Sequence, residues 1–203
     1  MRFADAISLR SRRRKFGLFM ETMRPTADTT VLDVGVDDLG FGESSGCRTL
    51  NFFEELYPWQ DRITALGQHE GRTFAEHYPS ARYVRGDALQ LPFEDGAFDV
   101  VFSNAVIEHV GPREAQQRFV SELLRVAPRA FVTTPNRWFP VEVHTRLPLV
   151  HWLPERAAHG VYDLVGKPWA KENHLLGPGD LEELFPPPAR IVNFGMTLAA
   201  IVD

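Results

Sequence analysis

The chain has 203 residues, of which 44% are hydrophobic and 24% are charged, and these proportions suit one globular domain with a sizeable core. Its net charge of −5 argues against general nucleic-acid binding, and its single cysteine, Cys47, excludes an internal disulfide and argues against a structural zinc site. Since no apolar run approaches ~18 residues and the amino terminus lacks a signal-peptide core, we expect a cytoplasmic protein without a transmembrane segment.

The first predicted element is a helical amino-terminal arm over residues 1–24. Apolar side chains recur there between basic ones, which predicts one or two amphipathic helices before Pro25. The basic stretch at 10–15 is most simply a solvated helix face. Its alternative function is weak contact with an anionic surface.

Strands and helices alternate from residue 25 onward, which indicates a parallel sheet with helices on both faces. We therefore treat residues 25–203 as one domain, in which a Pro- and Trp-rich insertion at 135–188 covers the active site. The chain then ends on two strands that Gly195 joins by a tight turn. The predicted strands lie at 30–35, 62–66, 82–85, 98–103 and 129–134, and the predicted helices near 49–57, 71–78, 113–126, 147–165 and 178–185.

Polar residues stand at the ends of two predicted strands. Asp87 ends one extended segment, and Asn104 leaves the buried strand FDVVFS at its carboxyl end. Ligands of open parallel sheets lie beyond the carboxyl ends of the strands. Asp87 and Asn104 are therefore candidates for holding the same ligand, although Asn104 could instead shape the turn.

Three segments together resemble the class I S-adenosylmethionine-dependent methyltransferases of the type 11-like group: VLDVG at 31–35, GDALQLPF at 86–93 and FDVVFSNAVIEHV at 98–110. The resemblance implies a doubly wound, Rossmann-like parallel sheet with an antiparallel C-terminal strand, and S-adenosylmethionine as cofactor. In that family, the loop after the first strand surrounds the methionine part, an acid after the second strand holds the ribose, and an acid after the third contacts the adenine.

The chain departs from the family pattern at two points. Asp37 replaces the second glycine of the usual G-x-G-x-G, and Gly67 stands where the family has the ribose acid, which leaves Gln68, His69 or Glu70 to reach the ribose. One lost carboxylate contact costs about 1.5 to 3 kcal/mol, or roughly ten- to a hundredfold in affinity. We thus expect weakened cofactor binding. The predicted cofactor-binding residues are Asp33, Gly35, Asp37, Gly67, Gln68, Asp87, Ala88 and Asn104.

His109, Glu142 and His144 are the predicted catalytic residues. His109 follows the turn after the fourth strand, where the family often places a substrate-facing residue, and a neutral histidine could accept a proton. Glu142 and His144 follow the fifth strand and could converge with it above the methyl group. The alternative for each is a structural role, as a cap, a core histidine or an ion pair.

The Glu142-x-His144 pair also resembles an acid–histidine signature of quinone-type O-methyltransferases, where it helps to bind a divalent metal. Residues i and i+2 of an extended segment point to one face, but a structural salt bridge satisfies the same geometry. We therefore predict no metal site from this pair.

These features together predict methyl transfer from S-adenosylmethionine to a small-molecule acceptor, at oxygen rather than nitrogen. The alternative function is a catalytically silent methyltransferase-like domain that binds a partner, because the glycine loop and the ribose acid are altered. A nicotinamide-dependent oxidoreductase fits less well, since the first loop lacks G-x-G-x-x-G and such domains normally end on a parallel strand.

Overall fold

The structure, a computed structural model, describes residues 3–38 and 51–203, with the backbone alone for residues 3–9. Cys47, the end of the altered glycine loop at Leu39 and Gly40, and the start of the helix predicted near 49–57 lie outside the described residues.

A seven-stranded sheet forms the centre of the protein, in the order β3-β2-β1-β4-β5-β7-β6. Strand β7 runs antiparallel to both of its neighbours, and the other pairings are parallel. This confirms the doubly wound, Rossmann-like sheet with an antiparallel C-terminal strand. The strands are β1 (Val31–Val34), β2 (Ile63–Gly67), β3 (Arg82–Arg85), β4 (Val100–Asn104), β5 (Arg129–Pro135), β6 (Arg190–Asn193) and β7 (Thr197–Val202).

Six α-helices surround the sheet in the described part of the chain. Between β5 and β6, the helix predicted near 147–165 is divided into a 3-10 turn, Val150–Trp152, and a separate α-helix that follows Pro154. The α-helices are α1 (Phe3–Met23), α2 (Phe52–Leu56), α3 (Arg72–His77), α4 (Arg113–Val126), α5 (Glu155–Leu164) and α6 (Pro178–Leu184). Two further 3-10 turns lie at Gln60–Arg62 and Pro168–Glu172.

Burial follows the position of each strand in the sheet. Every residue of β1 and β2 is buried, as expected for central parallel strands covered on both faces, whereas the edge strands β3 and β6 are partly exposed. Leu32 and Val34 pack on the side of α4 and α6, and Val31 packs with side chains of α1, α2 and α3. The sheet thus separates two apolar layers.

Helix α1 is part of the core. Phe19 is fully buried, and its ring centroid lies 5.0 Å from that of Phe53, 5.6 Å from Phe102 and 5.7 Å from Phe131. Lys15 is also buried, so the basic stretch at 10–15 is not the uniformly solvated face that the sequence suggested. Among the described residues, no helix has the length and apolar character needed to cross a membrane.

Replacing Phe19 by alanine tests how strongly α1 holds the core together. We expect Phe19→Ala to lower the free energy of unfolding by about 3 to 5 kcal/mol, because it leaves a cavity among the five aromatic rings that contact Phe19, and these cannot close it. Urea unfolding followed by circular dichroism measures the change. The control is Leu164→Ala, since Leu164 is 86% exposed and its removal should cost less than about 0.5 kcal/mol. A loss below ~1 kcal/mol for Phe19→Ala would show that α1 is only loosely attached.

Candidate active site

A cavity of about 290 Å³ opens at the carboxyl ends of β1, β2, β3 and β4. In the sheet, β1 lies between β2 and β4. From β1 the chain continues to β2 and β3 on one side, and it then returns to form β4 and β5 on the other side of β1. Such switch points are where open α/β sheets bind their ligands. The cavity is lined by Gly35, Val36, Asp37, Leu66, Gly67, Gln68, His69, Gly86, Ala88, Ala105, Val106 and His109.

The turn after β1 requires glycine. Gly35 has a φ of +97°, and a Cβ at this position would overlap the side chain of Val106. The amides of Gly35 and Val36 both donate to the carbonyl of Leu66, at 2.8 and 3.2 Å. The turn therefore lies tightly between the ends of β2 and β4, and it presents backbone rather than a side chain to the cavity.

Gly67 occupies the position of the missing ribose acid for a steric reason. A Cβ there would lie 2.5 Å from the hydroxyl oxygen of Tyr83 and 2.9 Å from the carbonyl oxygen of Val36. The Tyr83 hydroxyl in turn donates to the carbonyl of His69 at 2.9 Å. Tyr83 thus fills the space that an acidic side chain on residue 67 would need.

The predicted cofactor-binding residues divide between this cavity and other places. Gly35, Asp37, Gly67, Gln68 and Ala88 line the cavity. Sequence reasoning missed the lining residues Val36, Leu66, Gly86, Ala105 and Val106, whose apolar or absent side chains carry no chemical signal.

Asp38, beside Asp37 in the altered loop, has a structural role. Its two carboxylate oxygens accept hydrogen bonds from the amides of Gly71 at 2.8 Å and Phe74 at 2.9 Å, at the start of α3. The Phe74 bond is the main reason that the pKa of Asp38 lies below its ordinary value. Because Asp38 holds α3 against the loop, this acid organises the wall of the cavity.

Asp87 and Asn104 do not line the cavity. An oxygen of the exposed Asp87 carboxylate accepts from the Leu89 amide at 2.8 Å, so it stabilises its own turn. The Asn104 side-chain oxygen accepts from the Lys15 ammonium at 2.6 Å and from the Thr133 hydroxyl at 2.8 Å. Asn104 therefore connects α1, through Lys15, to the ends of β4 and β5.

Asp33 forms a buried carboxyl pair with Glu54 of α2. Asp33 is 6% exposed and Glu54 is fully buried. Burial raises the pKa of Asp33 to about 7, and burial together with the nearby Asp33 carboxyl raises the pKa of Glu54 well above its ordinary value. Two adjacent carboxylates cannot both be charged at low cost, so the pair retains a proton in the folded state. Together with Asn104 it borders a separate cavity of about 30 Å³.

Glu142 and His144 bind to each other. One Glu142 oxygen accepts from the His144 amide at 2.9 Å and lies 2.8 Å from His144 Nδ1, and the other accepts from the Thr145 amide at 2.5 Å. Burial alone would raise the pKa of Glu142, but these hydrogen bonds lower it to about 2. Both oxygens are thus committed to the local turn, so Glu142 and His144 do not direct their free atoms at one common ion.

His144 points its other nitrogen toward Glu108 and His109. The His144 and His109 Nε2 atoms lie 3.6 and 3.8 Å from the same Glu108 carboxylate oxygen, and the two rings are 4.9 Å apart at 74°. The other Glu108 oxygen accepts from the Thr134 hydroxyl at 2.9 Å. We call Glu108, His109 and His144 the Glu–His–His cluster. Its carboxylate was missed as a site residue, although the Glu108–His109 dipeptide after β4 was its signal.

Burial shapes the charges of this cluster. Glu108 is fully buried, and burial raises its pKa to about 6. Burial also lowers the pKa of His109. Burial acts in the same direction on His144, but the hydrogen bond to Glu142 together with the charges of Glu108 and Glu142 outweighs it and raises the pKa of His144. Within the cluster, Glu108 therefore loses its proton less easily than an ordinary glutamate. The His109 imidazole favours the neutral form, and the His144 imidazole is more easily protonated.

A second cavity, of about 430 Å³, lies on the insertion side of the cluster. Glu142 and Asn173 line it, whereas His109 lines the first cavity. Its other charged lining groups carry both signs, and they are Arg113, Arg137, Lys171, Glu155 and Asp180. His109 of the Glu–His–His cluster thus lines the cavity at the sheet edge, and Glu142, which binds His144, lines the polar cavity under the insertion.

Comparisons with known proteins match this chain mainly to methyltransferases. A model described as a methyltransferase domain matches residues 38–129. A solved structure of a SAM-dependent methyltransferase from Methanosarcina mazei superposes with a TM-score of 0.59 at 13% identity, and the superposition covers 87% of this chain and 92% of that one. Residues 38–129 of this chain thus match a methyltransferase domain, and the chain as a whole has the fold of that SAM-dependent methyltransferase.

Local sequence identity to curated methyltransferases is higher over short segments. Norajmaline N-methyltransferase of Rauvolfia serpentina is 50% identical over 42 residues, which are 21% of this chain and 13% of that protein. Demethylmenaquinone methyltransferase of Beutenbergia cavernae is 36% identical over 84 residues, which are 41% of this chain and 30% of that protein. The chain thus matches less than a third of the length of these two relatives.

The class I fold accounts for the position of the first cavity. The cavity lies at the switch point between β1 and β4, and the segment matched by the family model contains the ends of β2, β3 and β4 that line it. The carboxyl pair of Asp33 and Glu54 lies beside it, and its protonation gives a measurable pH dependence.

Replacing Glu54 by glutamine should change how stability depends on pH. Because both carboxyls of the pair have raised pKa values, the folded state binds more protons than the unfolded chain, and stability falls as pH rises from about 4 through 7. Each extra proton bound by the folded state makes the free energy of unfolding fall by about 1.4 kcal/mol per pH unit. We expect Glu54→Gln to have a shallower slope and to be more stable than the wild type at pH 8, by at least ~1 kcal/mol.

Urea unfolding at pH 5, 6, 7 and 8 measures this slope. The matched control is Glu55→Gln, because Glu55 is the next residue of α2 and is exposed. It should keep the wild-type slope. If Glu54→Gln has the wild-type slope as well, Glu54 does not share a proton with Asp33.

Proposed function

We propose that this protein transfers a methyl group from S-adenosylmethionine to a small molecule, at an oxygen atom. The observation that carries the proposal is the cavity at the switch point, with His109 in its wall and a second, polar cavity beyond the cluster. As part of the proposal, residues 1–24 are an arm, and 25–203 are the catalytic domain with an active-site cover at 135–188.

The residues of the first cavity suit the cofactor. The Gly35 turn and the ends of β2 and β3 leave backbone groups and small side chains, Gly67, Gly86 and Ala88, along its wall, so a flat adenosyl group can approach closely. Asp37 and Gln68 are polar side chains that can reach hydroxyl groups. When bound, S-adenosylmethionine supplies a methyl group already activated by its sulfonium.

The second cavity supports a polar small molecule as acceptor. Its charged lining groups of both signs favour a substrate with its own polar groups over a purely apolar one. The names of norajmaline N-methyltransferase and demethylmenaquinone methyltransferase also refer to small molecules. Because His109 lines the first cavity and Glu142, which binds His144, lines the second, an acceptor in the second cavity would direct its nucleophile past His109 toward the first.

Positioning supplies most of the catalysis in this proposal. Holding the acceptor oxygen in line with the methyl group is worth up to about 7 to 11 kcal/mol of barrier, and an activated methyl group needs little further help. His109 and His144 hold the acceptor, and Glu142 fixes the ring of His144. As the carbon–oxygen bond forms, the hydroxyl proton of the acceptor passes to water, and the sulfur keeps the electron pair of the broken carbon–sulfur bond, so the products are the methyl ether and S-adenosylhomocysteine.

Cofactor binding is the first test. We expect S-adenosylhomocysteine to bind saturably in calorimetry, and Asp37→Asn to weaken it about ten- to a hundredfold, because the substitution removes a charged hydrogen-bond acceptor from the wall of the cavity. Asp28→Asn is the control, since the Asp28 side chain is 97% exposed and lies away from the cavity. No heat at millimolar ligand would reject the transferase function.

The cluster residues are tested by turnover. With methyl-labelled cofactor and an acceptor found by screening phenols, enols and amines, we expect His109→Ala, Glu142→Gln and His144→Ala to lower kcat at least tenfold. His144 and Glu142 do not line the first cavity, so their variants should bind S-adenosylhomocysteine within about twofold of the wild type. Full turnover in all three variants would remove these residues from the mechanism, and an amine as the best acceptor would overturn oxygen methylation.

A further inference from the structure

We propose that Glu108, His109 and His144 form a binding site for one divalent first-row transition-metal cation. The three side chains offer one carboxylate oxygen and two imidazole nitrogens, all within 4.8 Å of one another. Two imidazoles with one carboxylate are a donor set that holds Zn²⁺ or Fe²⁺ in proteins, whereas Mg²⁺ prefers oxygen ligands alone.

The first support is an unpaired buried oxygen. Glu108 is fully buried, and its Oε1 has no hydrogen-bond partner among the described residues, whereas Oε2 is bound by Thr134. Leaving a buried carboxylate oxygen without a partner is costly. Both histidine Nε2 atoms face this oxygen, but at 3.6 and 3.8 Å they are too distant to satisfy it by a hydrogen bond.

Those distances suit a shared cation. Ligands that bind one tetrahedral ion at 2.0 to 2.1 Å lie about 3.4 Å from each other. The two nitrogen–oxygen distances of the cluster exceed this value by only a few tenths of an ångström. Small rotations of the two rings would therefore bring all three atoms into bonding distance of a single ion.

The second support is the arrangement behind the two imidazoles. The Nδ1 of His144 lies 2.8 Å from the Glu142 carboxylate, which fixes the ring and directs Nε2 at Glu108. The Asn173 side chain interacts with the His109 ring and acts to raise its pKa, against the larger effect of burial. A metal-binding histidine characteristically donates its second N–H to a carboxylate or carbonyl group, which sets its tautomer and makes it a better ligand.

The site would also keep positions for exogenous ligands. Three protein ligands leave one or more coordination positions open, which is typical of catalytic rather than structural metal sites. The His109 side chain is 44% exposed and lines the first cavity, so the open positions face that cavity. An acceptor hydroxyl bound there would lose its proton more easily, because a bound cation lowers the pKa of a coordinated oxygen.

This last role of the cation rests on the proposed function, but binding of the cation does not. The competing explanation is an ion pair without metal, in which protonated His144 and the nearby Lys15 offset the charge of Glu108. The two explanations predict different behaviour when metal is added.

The test is a titration of EDTA-treated full-length protein with Co²⁺, followed by visible absorption, and with Zn²⁺ and Mg²⁺, followed by calorimetry. We expect one Co²⁺ or Zn²⁺ per chain, with visible bands of imidazole-bound Co²⁺, and no saturable Mg²⁺ binding. Glu108→Gln, His109→Ala and His144→Ala should each weaken binding about a hundredfold or more, and Glu142→Gln about ten- to a hundredfold.

Glu108→Gln keeps the size of the side chain and removes a buried charge, so it is expected to fold, which circular dichroism checks. His77→Ala is the control for adventitious binding, because His77 is exposed at the end of α3. Equal affinity in the control and the cluster variants, a preference for Mg²⁺, or no binding at all would overturn the proposal. S-adenosylhomocysteine binding to the same metal-free sample separates a failure of this site from a failure of the cofactor cavity.

Discussion

The close approach of the β1 turn to the start of the segment after β4 is the constraint on which the site depends. Gly35 can lie against Val106 only because it has no Cβ and adopts a φ of +97°. Its amide and that of Val36 are both held by Leu66 at the end of β2. This turn fixes the spacing of three strand ends, and with it the width of the cavity that opens between them.

Buried polar contacts extend this constraint across the sheet. Lys15 of α1 reaches Asn104 at the end of β4, and Thr133 of β5 binds the same amide oxygen. The next threonine, Thr134, binds Glu108. Successive residues of β5 therefore support the structural amide on one side and the cluster carboxylate on the other, which places the Glu–His–His cluster firmly against the sheet.

The fold followed from the sequence because its signals are local. The alternation of apolar strands with amphipathic helices, and the turn at Gly195, predicted the sheet and its antiparallel last strand, which the structure confirms. The contacts of the side chains at the site were harder to predict from the sequence. The partner of Asn104 is Lys15, 89 residues earlier, and the space at Gly67 is filled by Tyr83 from a neighbouring strand. No pattern within one segment reveals such contacts.

The predicted pair of Glu142 and His144 illustrates the same limit at the centre of the site. Their spacing suggested two side chains with a common target, and it left open whether they instead bind to each other. In the structure Glu142 and His144 bind to each other, and both Glu142 oxygens accept hydrogen bonds within the local turn. The other nitrogen of His144 faces a different carboxylate, Glu108. The carboxylate that His144 faces therefore follows β4, not β5. In this protein the acid of the acid–histidine pair, Glu142, orients the ring of His144. The carboxylate that His144 faces, Glu108, comes from a different segment of the chain.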